Sequence, residues 1–187
     1  MPIQIISKLV NGLKGGVEAA LKGTADVGSS VANVVKDLAV TTIKGAGDLV
    51  VKGVQVPASI VAGAIGGVAS IGTTIIRSVK GIVDGAIQGA MKSGVSQDDA
   101  VKGAVQQAIH SAKELGQDTV GVAIEAIKGA VNGVKQVGGD SVSATKQAIV
   151  AALEAAKEIS DETVDSLKKA IHEGVDGSKE ILDEIKK

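Results

Sequence analysis

The chain has 187 residues, a net charge of −1 and an apolar content of 44%, yet it contains no Phe, Tyr, Trp or Cys. An apolar fraction this high lies outside the range of disordered polymers, and the length suffices to bury a core. Missing cysteines exclude disulfides and thiolate metal sites, and missing rings with no broad basic field exclude the usual means of holding nucleic acid.

The opening MPIQIISKLVNGLKGG lacks the longer apolar stretch and the cleavage site of a secretory signal, which sets a cytoplasmic expectation. Residues 1–97 form a Gly-rich, apolar, mildly basic half, with nine Lys or Arg against five Asp or Glu and 16 of the 25 glycines. Apolar residues recur every eleven positions at Ile43, Val54, Ile65, Ile76 and Ile87. Eleven residues make three helical turns at about 3.67 per turn, so the stripe runs nearly straight along a helix. Gly63 and Gly67, then Gly81, Gly85 and Gly89, share a four-residue spacing. Each glycine lowers helix propensity by about 1 kcal/mol relative to Ala, and close packing of helix backbones is the expected compensation. Gly53 to Ile76 is uncharged for 24 residues, long enough to span a bilayer. Its Gln55, Pro57, Ser59 and Ser70 favour a buried helix, and a membrane-embedded chain is the alternative.

Residues 98–187 are acidic, with eleven Lys or Arg against sixteen Asp or Glu, and repeat every 22 residues. Val105, Ile127, Ile149 and Ile171 share one column. Ile109, Val120, Val131, Val142, Leu153, Val164 and Val175 follow one another at intervals of eleven. Together they form an apolar stripe of normal width for a helix buried on one face. Lys102, Lys113, Lys135, Lys146, Lys157, Lys168 and Lys179 run along one edge of it. Lysines at such a boundary can lay their stems on apolar surface and lift the charge into water or toward lipid phosphate.

The pattern predicts an all-α fold of long amphipathic helices. Stop signals are strongest at Pro57, at Ser93 to Asp99 and at Val137 to Ser141, and weaker at Gly28 to Ser30, Gly72 to Thr74, Gly116 to Asp118 and Ser160 to Glu162. Weighting the strong ones gives four helices of roughly 38 residues, each about 57 Å long, folded as antiparallel hairpins. One longer, gently broken helix is the rival.

Chemical motifs are sparse. His110 and His172, the two imidazoles, occupy different columns of the repeat and lack metal-ligand spacing. No phosphate loop or dinucleotide fingerprint is present. An enzyme is not expected, nor is a catalytic residue, cofactor, metal or small-molecule substrate.

Ala112-Lys113-Glu114, Ala156-Lys157-Glu158 and Ser178-Lys179-Glu180, with Thr119 and Thr163 following, resemble the eleven-residue repeats of late embryogenesis abundant proteins. Val51 to Val56 and Gly129 to Gly138 look more like synuclein or perilipin repeats, although the synuclein KTKEGV core is missing. The resemblance covers chiefly residues 98–185 and implies three-turn amphipathic units that coat or protect lipid surfaces under stress. The expected function is thus a structural or protective repeat protein that self-packs and carries its stripe to a lipid surface or partner helices. Peripheral attachment to lipid and self-association follow as expectations. A bundle or filament subunit with no lipid role is the alternative.

Overall fold

The computed structural model describes residues 2–46 and 53–186. These form nine helices: α1 (Pro2–Leu21), α2 (Val27–Ala46), α3 (Gln55–Ser70), α4 (Ile75–Lys92), α5 (Gln97–Glu114), α6 (Thr119–Gln136), α7 (Ser141–Ile159), α8 (Asp161–Gly174) and α9 (Ser178–Ile185). Val51 and Lys52, which open the first synuclein-like stretch, lie outside the described residues.

The expected four long helices are not formed, because the weak stop signals at Gly72 to Thr74, Gly116 to Asp118 and Ser160 to Glu162 act as fully as those at Ser93 to Asp99 and Val137 to Ser141. Gly72, Gly94, Gly116 and Gly138 all take positive φ, between 64° and 94°. Beyond each of them, the next amide turns back to a carbonyl in the last turn of the preceding helix: Thr73 to Val68, Val95 to Ala90, Gln117 to Ala112 and Gly139 to Val134, at 2.8–3.3 Å. This closure satisfies carbonyls that a helix end would otherwise leave unpaired, and glycine adopts the required backbone without a Cβ clash. Two residues after each glycine comes the next N-cap: Thr74, Ser96, Asp118 and Asp140. Ser96, Asp118 and Asp140 accept hydrogen bonds from amides in the first turn they precede.

Pro57 does not break a helix either. It is the third residue of α3, where a helix has no internal use for the missing N–H. Gly28 and Ser30 fall inside α2, whose preceding turn is at Lys22–Asp26. The uncharged run 53–76 is interrupted at Ile71–Thr74, and among the described residues no helix is long and apolar enough to cross a membrane.

From α1 to α7 each helix packs chiefly on its second neighbour, whereas α8 packs more on α7 than on α6 and α9 packs on α7 and α8 about equally. α1, α3, α5 and α7 stack as one layer and α2, α4, α6 and α8 as another, with hairpin contacts joining the two. Stacking continues from α3 to α5 and from α4 to α6 across Ser96. The core is predominantly aliphatic, with Leu13, Ile60, Ile82, Ile109, Ile127, Ile149 and Ile171 fully buried among alanines and valines.

Small residues set the spacing within each layer. A Cβ on Gly63 would stand 2.6 Å from Val10 O, and one on Gly67 would stand 2.8 Å from Lys14 O, both on α1. Gly81, Gly85 and Gly89 of α4 likewise meet Val31, Ala32, Lys36 and Ala39 of α2. Gly129 and Gly133 of α6 lie on Lys80 and Asp84 of α4, and Gly103 of α5 lies on Val54 and Pro57. At these points helix backbones approach to distances that any side chain would prevent.

Candidate interaction surfaces

The apolar stripe is divided between the two layers. Val105, Ile109, Val142, Ile149 and Leu153 belong to α5 and α7; Val120, Ile127, Val131, Val164 and Ile171 belong to α6 and α8, and Val175 caps α8. Val105, Ile109, Ile127, Ile149, Leu153 and Ile171 are buried, Val120, Val164 and Val175 are half-buried against the core, and Val131 is half-buried. Val142 differs: its side chain is 78% exposed at the start of α7.

The lysine edge is split in the same way. Lys102, Lys113, Lys146, Lys157 and Lys179 stand on α5, α7 and α9, whereas Lys135 and Lys168 stand on α6 and α8. Lys102 and Lys168 are half-buried and the other five are exposed. Lys102 pairs with Glu154 at 3.3 Å, joining α5 to α7, and Lys146 pairs with Glu184 at 2.7 Å, joining α7 to α9.

The outer face of α5 and α7 is a ladder of such contacts. Gln106 donates to Glu154 at 2.8 Å, and His110 Nε2 lies 3.0 Å from Glu158 Oε2, away from the line of a hydrogen bond. That contact becomes an ion pair only when the ring is protonated. At the other end, the Gln97 side chain donates to Asp140 O and accepts from Asp140 N. His172 is exposed on α8, near Lys168, Lys169 and Glu173. The two histidines therefore lie on different helices and in different layers, with unrelated surroundings.

A polar site that the sequence did not reveal lies where α4 meets α6. Asp84 is only 7% exposed, and its carboxylate accepts from Gln88 at 2.7 Å and from Asn132 of α6 at 2.5 Å. It is the lone acid between Asp48 and Asp98, which is the signal that could have marked it. Two amide donors compensate its desolvation without a cation.

The largest change along the stack occurs between α6 and α8, which touch far less than α4 and α6 do. The glycines at 85 and 89 of α4 recur 44 positions later at 129 and 133 of α6, but after another 44 positions stand Glu173 and Gly177, the latter already in the turn after α8. Close approach ends there, and a trough of 390 Å³ opens. Ile127, Val131 and Val175 line its apolar part, and Lys80, Lys128 and Lys135 stand around it with Asp176. It continues past Val131 and Thr145 into a second hollow of 510 Å³ lined by Val142, Ile181, Glu180 and the Lys146–Glu184 pair.

Asp140, beside this second hollow, has a pKa lowered from the ordinary carboxylate value. The Ser143 hydroxyl is the main cause, followed by the amide of Ser143; burial opposes the shift, and the Val142 amide adds to it. Among the described residues no group of three or more His, Asp or Glu could hold a metal ion.

No protein-family model and no curated protein matches the chain. Among solved structures it is similar to the de novo designed helical repeat protein DHR7, at a TM-score of 0.57 and 19% identity, over 93% of this chain and 96% of that one. At this identity the likeness concerns the fold alone: an all-α helical repeat.

Proposed function

We propose that the protein is a non-catalytic helical-repeat scaffold that packs its apolar stripe into its own core and associates with partner helices, including further copies of itself, through its outer surface. The observation that carries this reading is the burial of Val105, Ile109, Ile127, Ile149, Leu153 and Ile171 between the layers. A stripe consumed by internal packing serves assembly, and what remains for partners is the surface where stacking loosens, at α6 to α9. Repeat stacks use such extended surfaces for binding because each unit adds area without changing the architecture.

A lipid-surface role is the second reading, favoured by the exposed lysines and by Val142. It requires the layers to separate, because the larger stripe residues are otherwise covered. Far-ultraviolet circular dichroism with and without anionic vesicles, beside mass by light scattering, tests both. Full helicity without vesicles, unchanged on their addition, supports the scaffold. Weak helicity that rises with vesicles overturns it in favour of the lipid reading.

A further inference from the structure

The trough between α6 and α8 and the exposed Val142 beside it differ in charge. Around the trough stand Lys80 and Lys135, neither with an ion-pair partner among the described residues, and Lys128, which pairs with Glu125 at 3.1 Å. On the other side, Val142 projects beside Asp176 and Glu180, neither paired with a cation among the described residues. Val142 is thus an apolar knob whose unpaired neighbours Asp176 and Glu180 are acidic, Lys146 beside it being neutralised by Glu184, and the trough is an apolar hollow whose unpaired cations are Lys80 and Lys135, with Asp176 at the boundary of the two.

We propose that this surface is the interface of a two-fold dimer, in which Val142 of each copy enters the trough of the other. The proposal rests on the self-association reading above and names its surface. A partner of uniform charge would be repelled at one side of the feature, whereas a second copy in reverse orientation presents acid to base at both. Because knob and trough adjoin and share Val131, Thr145 and Asp176, a two-fold axis passing between them engages both at once. An interface of this kind uses the same patch twice and closes at two copies.

Sedimentation equilibrium of the full chain over a wide concentration range tests this, with circular dichroism as a control for folding. The wild type is expected at twice its 18.5 kDa mass. Val142→Lys keeps its helicity and becomes monomeric. Lys80→Glu and Glu180→Lys each raise the dissociation constant about tenfold, as like charges meet across the axis. Mixing these two variants restores the dimer, because the heterodimer regains opposite charges at both contacts. A wild type that is monomeric throughout overturns the dimer and the self-association reading together, leaving the trough to an acidic partner helix. Association that survives Val142→Lys overturns this interface alone, and a mixture that stays monomeric overturns the pairing of Lys80 with Glu180.

Discussion

Asn132 of α6 donates to the carboxylate of Asp84 on α4 at 2.5 Å, so a side-chain contact fixes the register of two helices whose backbones meet at Gly133. Asn132→Ala leaves the nearly buried carboxylate with Gln88 as its side-chain donor. The expected loss is about 1–3 kcal/mol, the usual cost of an unsatisfied buried acceptor. Urea denaturation followed by circular dichroism measures it, and an unchanged midpoint would show that water satisfies Asp84 as well as the amide does.

Glycines of different surroundings should respond oppositely to the same substitution. A Cβ on Gly85 would fall on the Ala32 carbonyl, so Gly85→Ala must push α2 away from α4. Overpacking of this kind costs about 1–3 kcal/mol beyond any gain in helix propensity. Gly15 on α1 faces open space, and Gly15→Ala should stabilise by about 0.5–1 kcal/mol. Equal effects in thermal melts would refute glycine-mediated approach as the determinant of layer spacing.

The cap at Asp140 makes one contribution dependent on pH. Its folded pKa is depressed, so the stabilisation is present above the unfolded value and is lost as pH falls through the lowered one. Asp140→Ala should lower the melting temperature at neutral pH, and the gap from wild type should narrow once the solution is more acidic than the ordinary carboxylate range. A gap independent of pH would mean that the ionised state of the carboxylate contributes nothing to the cap.

Ile127, Ile149 and Ile171 are fully buried in three successive helices. Replacing all three by Ser removes about 2–5 kcal/mol at each site, which together reaches the whole stability of about 5–15 kcal/mol typical of a domain. The triple variant should lose cooperative melting and most of its helical signal. Retained helicity with a sharp transition would mean that the stripe is not the core.

The all-α class was legible in the sequence, from the helical spacing of its apolar residues, and no strand forms among the described residues. Misread was the strength of a helix stop. Gly116 followed by Asp118 looks weak beside Ser93 to Asp99, yet a single glycine at positive φ and one capping carboxylate close the helix completely. Pro57 looks strong, but its effect depends on its place within the first turn. The trough was harder to foresee. It arises where the 85-to-129 glycine column meets Glu173, a comparison that acquires meaning only when helices 44 residues apart are known to touch.

Because no helix reaches beyond its second neighbour, no residue of α1 or α2 touches α7, α8 or α9. Free energy in such a stack is shared locally, unit by unit, and a defect at one end is not felt at the other. Unfolding can then proceed from a terminus like the fraying of a rope, with the middle helices α4 and α5 the last to exchange their amide hydrogens with solvent.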